Sequence, residues 1–269
     1  MDWARIMVPL TGRAEDEALL AAGHVLAAPF GAELAGVYAP ADIADLVPWM
    51  SDGMIGGVEV AAIDAVKEAA VEGERASRRH LEASPAARKS FTALISPVMP
   101  KLDQEARLSD VVVLDQASAC GKTRLGQAFQ DLLAGEQRPI VVTKGPLPAP
   151  RTVLVAWNGG KEASRAARTA LPLLQRAERV LVITADEPRT RDIDPARMAD
   201  FLAARGVAAE PRRCEKGEAA QTILTHAADI GADLIVSGAF GHARLREYVL
   251  GGATRGLLNA SGPALFLSH

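Results

Sequence analysis

The chain repeats its own strands. Residues Arg5 to Gly12 (RIMVPLTG) are echoed by Thr152 to Gly159 (TVLVAWNG). Ser109 to Gln116 (SDVVVLDQ) returns as Ala232 to Ala239 (ADLIVSGA), and Arg138 to Gly145 (RPIVVTKG) as Gly262 to His269 (GPALFLSH). Self-similarity of this kind constrains a fold more than any single motif, because each copy must be one structural unit. The repeated stretches are short apolar runs closed by turn residues, the pattern of strands covered on both faces. Helical stretches separate them. Strand, helix and parallel strand in succession imply right-handed crossovers and a parallel sheet with helices on both sides. The reading is an α/β chain of two tandem, doubly wound, parallel five-stranded sheets. Residues 1–145 form one half and residues 151–269 the other. Between them Lys144 to Pro150 (KGPLPAP) is a stiff, proline-dense linker.

Within the first half the strands are read at Arg5–Leu10, Leu34–Tyr38, Phe91–Ile95, Asp110–Leu114 and Pro139–Thr143. Glu15, Asp16 and Glu17 suit the first turn of a helix that runs to Ala27. A long helix covers Glu59 to Ala83, and its Arg75, Arg78, Arg79 and His80 read as a solvated face. Ala39 to Val58 reads as an unusually apolar loop or lid that packs over its own domain, with a partner or ligand surface as the alternative. In the second half the strands are Thr152–Trp157, Val180–Thr184, Val207–Cys214, Leu234–Val236 and Ala264–Leu267. Helices fill Lys161–Leu174, Asp194–Ala204 and Gly217–Ile230, with Asp194 as N-cap and Pro195 at the first helical position.

Composition narrows the function classes. A formal net charge of -3 gives no overall field for nucleic acid or an acidic membrane. Cys120 and Cys214 are too few for a disulfide framework or a metal site. The start, MDWARIMVPL, lacks a basic segment followed by an apolar one, and no apolar run spans a bilayer. The expectation is a soluble cytoplasmic protein with no nucleic-acid or membrane partner.

Chemistry concentrates between Asp233 and Leu267. The strand Leu234-Ile235-Val236 ends in Ser237-Gly238, and Gly238 and Gly241 open a loop where backbone N–H groups can approach a ligand. Gly251, Gly252 and Thr254 then lead into a short helix, whose N-terminus offers free donors and a positive dipole end to a phosphate. This Gly238-x2-Gly241-x9-Gly251 spacing, between a strand and a terminal strand, resembles the universal stress protein family. With the repeat, the resemblance covers essentially the whole chain in a tandem form. It implies a Rossmann-like fold of the adenine-nucleotide α-hydrolase type with strand order 3-2-1-4-5 in each half. It also implies a ligand, ATP or another adenine nucleotide, between the carboxyl ends of the first and fourth strands of the second half.

Carried onto this sequence, the family's binding positions are Asn158, Thr184, Gly238, Gly241, Gly251 and Gly252, with His242 and Thr254 beside them. Three departures stand out. Asn158 replaces the family's aspartate and Gly160 its serine, and Gly252 stands where a Ser or Thr follows the last glycine. An amide still hydrogen-bonds a hydroxyl but brings no charge. The first half departs further. Asp115 and Ser118 take the places of Gly238 and Gly241, so no nucleotide is expected there. Gly121-Lys122-Thr123 resembles the end of a P-loop, but Gln116 stands where its first glycine belongs.

No catalytic residue or metal-ligand set is read from the sequence. The function expected is a cytoplasmic stress-response protein with ATP bound in the second half. The alternatives are a partner-binding module of the same fold without nucleotide, and a slow ATPase or self-phosphorylating enzyme. The resemblance further implies an intramolecular pseudo-dimer that brings residues 139–143 beside 264–267. The apolar Val47 to Ile55 segment is the candidate contact for a homodimer.

Overall fold

The computed structural model describes residues 2–42, 56–240 and 251–269. The chain divides into two compact units, Trp3–Val113 and Met1–Asp2 with Leu114–His269. In the first, β1 (Arg5–Leu10) is followed by α1 (Glu15–Ala27), β2 (Glu33–Tyr38), α2 (Gly56–Ala83), β3 (Lys89–Ala93) and α3 (Val98–Arg107). The strand β4 (Val111–Asp115) carries the chain into the second unit. β1 pairs in parallel with β2 on one side and β4 on the other, and β2 pairs with β3. Ile6, Met7, Val8 and Leu10 are fully buried. That explains why the strand reads as a continuous apolar run and not as an alternation.

Arg5 and Glu33 tie the start of these strands together. The Glu33 carboxylate accepts from Ser90 Oγ at 2.5 Å and from Arg5 Nε at 3.3 Å, while Arg5 Nη2 reaches Glu105 Oε2 at 2.7 Å. The Ser90 hydrogen bond first, and then Arg5, hold the Glu33 carboxyl below the usual carboxylate range. A folded-state value below the unfolded one contributes stability that is present above the unfolded pKa and lost as pH falls through the folded one. The melting-temperature advantage of the native chain over Glu33→Gln is therefore expected to shrink as pH drops below about 4.3. A difference that stays constant from neutral pH to pH 3 would sink this assignment.

Asp16 does more than answer a helix dipole. It is buried and accepts from the N–H of Thr11 (2.9 Å), the N–H of Gly12 (2.8 Å) and Ser77 Oγ (3.1 Å), which closes the β1–α1 turn and binds it to α2. The long helix begins at Gly56, so the tail of the expected 39–58 loop is already helical; residues 43–55 lie outside the described residues. On α2, Arg75, Arg78 and Arg79 are exposed, as the solvated-face reading has it, with Arg78 4.3 Å over the ring of Phe91; His80 departs from that reading, its side chain only 19% exposed and its Nδ1 buried.

In the second unit, α4 (Gln116–Ala119) and α5 (Gly126–Gln130) lead through a π-helical turn, Asp131–Gly135, to β5 (Ile140–Thr143). Then follow β6 (Thr152–Ala156), α6 (Lys161–Thr169), α7 (Leu171–Leu174), β7 (Arg179–Asp186), α8 (Pro195–Ala203), β8 (Glu210–Lys216), α9 (Ala219–Asp229), β9 (Leu234–Gly238), α10 (Gly252–Asn259) and β10 (Ala264–Ser268). The single helix expected over Lys161–Leu174 is two, because Pro172 lacks the N–H that would continue it. Asp194 caps α8 through Ala196 N at 2.9 Å, with Pro195 at the first position, as the sequence implies.

The hydrogen-bonded order is β3-β2-β1-β4-β5 for the first repeat and β8-β7-β6-β9-β10 for the second, so 3-2-1-4-5 is met in both. Residues 139–143 and 264–267 do meet. β5 and β10 pair antiparallel, with Val142 opposite Leu265 and Val141 opposite Phe266. Gln116 Nε2 donates to Ala260 O at 3.2 Å and Lys144 Nζ to Leu257 O at 2.7 Å, which caps the last carbonyls of α10. These bonds gather residues 114–144 with the second repeat, so the compact division falls after Val113, whereas the sequence repeat divides at the proline linker. No helix among the described residues is long and apolar enough to cross a membrane.

Candidate functional site

Within the second unit a cleft of about 600 Å³ opens where the strand order reverses, at the carboxyl ends of β6 and β9. Parallel strands with crossovers to opposite faces leave such a crevice by topology alone. Its walls are the end of β6 at Ala156–Asn158, the turn after β7 at Ala185–Thr190, the end of β9 at Ser237 and Gly238, and the start of α10 at Gly251–Thr254.

The start of α10 has the makings of an anion site. Gly251 is its N-cap and no side chain caps it. A Cβ added at Gly251 or Gly252 would meet no described atom within 4 Å, so the first N–H groups lie open along the cleft. Thr254 lines the same wall but is itself buried.

The other sequence-derived positions sort by geometry. Asn158 lines the cleft, and its Oδ1 accepts from Gly160 N at 2.9 Å, a local turn that fixes the amide. Gly238 lines the cleft too, but a Cβ there would stand 2.5 Å from Ala163 N and 2.6 Å from Glu162 C. The glycine is thus demanded by the packing of α6 on β9, a reason other than the ligand approach that the spacing implies. Thr184 does not line the cleft. It is fully buried and its Oγ1 donates to Trp157 O at 2.9 Å, while its strand neighbours Ile183 and Ala185 face the cleft, as alternation along a strand requires. Gly241 and His242 lie outside the described residues.

Sequence reasoning passed over Glu162. This second residue of α6 is 6% exposed and lines the cleft. Its signal was an acidic residue in the first turn of a helix that begins at the N-G-G turn. Such residues are usually solvated, and only the packing of α6 against Gly238 buries this one.

A Cβ on Gly12 would lie 2.4 Å from Gly73 Cα, and one on Gly73 would lie 2.3 Å from Tyr38 Oη. Gly73 of α2 therefore rests on the turn after β1 and on the last residue of β2. In the second unit Asp115, expected to repel a phosphate, caps α4 through Ser118 N, and Ser118 Oγ bonds Thr123 Oγ1 at 2.8 Å. Of the P-loop-like residues, Thr123 is thus used locally. Burial pushes the Cys214 thiol up, which makes it a poor nucleophile. Among the described residues no group of three or more His, Cys, Asp or Glu is placed to hold a metal ion.

Residues 150–263 match the family model described as the universal stress protein family. A universal stress protein from Archaeoglobus fulgidus DSM 4304 is 16% identical, with 98% of this chain and 95% of that one covered and a TM-score of 0.68. A putative universal stress protein from Pseudomonas aeruginosa UCBPP-PA14 is 15% identical, with 99% and 93% covered and a TM-score of 0.56. These two show that the fold is shared over the whole chain. A universal stress protein solved in complex with cAMP is 23% identical, covering 45% of this chain and 98% of its own, with a TM-score of 0.37. No match was found among curated proteins.

Proposed function

From its membership of the universal stress protein family, to which this chain belongs through residues 150–263, we propose that it is a stress-response protein of the cytoplasm that binds an adenine nucleotide, ATP, in its second repeat. The observation that carries this is the start of α10, where no described side chain caps the helix and an added Cβ at either of two glycines meets no described atom, on the wall of a cleft at the sheet's switch point. The phosphates lie against that helix start and the base against the apolar wall of Ile183 and Ala185. The first repeat is read as binding none, since Asp115 and Ser118 stand where Gly238 and Gly241 stand in the second. Bound nucleotide biases a conformation or a partner contact and is not turned over, because a ligand shifts an equilibrium by its differential affinity for the two states.

Denaturing extraction of the purified chain, with mass spectrometry of what is released, tests the proposal. ATP, ADP or AMP is expected in equimolar amount. The stripped protein should melt roughly 5–10 °C higher at about 100 times the dissociation constant of added ATP. An empty extract together with an unmoved melting temperature would turn the reading to a partner-binding module of the same fold.

A further inference from the structure

The cleft wall that follows β7 is a strap of irregular backbone, and a guanidinium holds it from outside. Ala185 to Thr190 line the cleft, and the chain runs on through Ile193 to α8. Inside the strap Thr190, 5% exposed, donates from Oγ1 to Ala185 O at 2.5 Å and accepts from Glu187 N at 3.0 Å. At its far end Ile193 rests on the turn after β6, since a Cβ on Gly159 would stand 2.5 Å from Ile193 Cδ1. The strap thus runs from the end of β7 to the turn that carries Asn158, and one segment touches two walls of the cleft.

Arg213, on the edge strand β8, supplies the hold. Its Nη2 donates to Ile193 O at 2.5 Å, Arg191 O at 3.0 Å and Thr190 O at 3.3 Å. Its Nη1 stands 3.6 Å from Asp186 Oδ1, with 39% and 40% of the two side chains exposed. An ion pair that wet contributes little, so the three carbonyls carry the hold. The ladder is built for this reach. Thr184 stands opposite Arg213 but Asp186 opposite Lys216, so β8 carries one residue more than β7, a bulge of the kind that re-aims side chains. A guanidinium that binds three carbonyls of a segment outside any ladder fixes where that segment lies.

Resting on the nucleotide reading of this cleft, we propose that Arg213 is a positioning residue, a latch that holds the 185–193 strap closed on the bound nucleotide. Arg213 does not itself line the cleft; it acts through the strap, whose residues do. Breaking the latch lets the strap open as a unit of low local stability and takes away a wall of the site. The strap also carries Arg189 and Arg191, both exposed, so cutting by trypsin reads its open population directly.

Limited trypsin digestion of the nucleotide-stripped full chain, beside calorimetry with ATP, decides it. Arg213→Met keeps the aliphatic stem and removes the donors. It is expected to speed cutting after Arg189 and Arg191 about tenfold or more and to weaken ATP by a similar factor, the usual weight of hydrogen bonds from a charged donor. Its urea midpoint should match that of the native chain, and added ATP should slow the cutting of the native strap. Arg213→Lys, which keeps the charge but loses the fork, should fall between the two and serves if the methionine variant does not fold. Cutting at the native rate in both variants would overturn the latch. So would a lower urea midpoint with every tryptic bond cut faster, the mark of an arginine that serves the fold alone. Faster cutting at Arg189 and Arg191 with native ATP affinity would overturn the closing role and leave the nucleotide reading standing. Failure of the native chain to bind ATP would overturn both.

Discussion

Gly238→Ala is expected to destabilise the second unit by about 3 kcal/mol, the upper range for a group forced into a packed site. The new methyl would stand 2.5 Å from Ala163 N and 2.6 Å from Glu162 C. Both are backbone atoms of α6, so no rotamer change relieves the overlap, and the helix must lift from the end of β9. Urea unfolding followed by circular dichroism reads the loss as a lower midpoint at unchanged slope. Gly251→Ala is the control, with no described atom near its methyl and an expected change within about 0.5 kcal/mol. Equal midpoints for Gly238→Ala and the native chain would remove the packing explanation. The result also bears on interpretation, since weakened ligand binding in a Gly238 variant would follow from a displaced α6.

Gly252→Asp should do the reverse, leaving the fold intact and removing nucleotide binding by about 100-fold or more, as expected when a carboxylate meets phosphate in a partly desolvated site. Gly252 is the first helical residue of α10, an added Cβ there meets no described atom within 4 Å, and an acidic residue there suits the helix dipole. The same carboxylate would take the N–H groups that the phosphates need and repel their charge. Titration with ATP, beside a melting curve of the stripped protein, separates the two effects. Native-like affinity in a folded Gly252→Asp chain would mean that phosphates do not lie at α10 and would withdraw the observation on which the proposed function rests.

The two glycines look alike in sequence, both flanking the loop that marks the family. One is fixed by a neighbouring helix and the other is open, and no spacing rule distinguishes them. Asp16 is a similar case. Read in sequence it is one of three acids at a helix start, but the fold buries it under Ser77, sixty-one residues on.

The repeat, the strand sequence and the α8 cap could be read from residues alone because they are local. A strand buried on both faces must be apolar along its length, and a cap must lie within a turn of the helix it closes. The linker, too, could be read from its prolines. The order of the strands came from the family resemblance, which the repeat made compelling. Only the tertiary structure decided the rest. It joined residues 114–144 to the second repeat through the β5–β10 ladder, set Gly73 against Gly12 and Tyr38, turned Thr184 away from the cleft and buried Glu162 within it. Each of these depends on which distant element lies against a given side chain, and that is determined by packing between segments far apart in the chain.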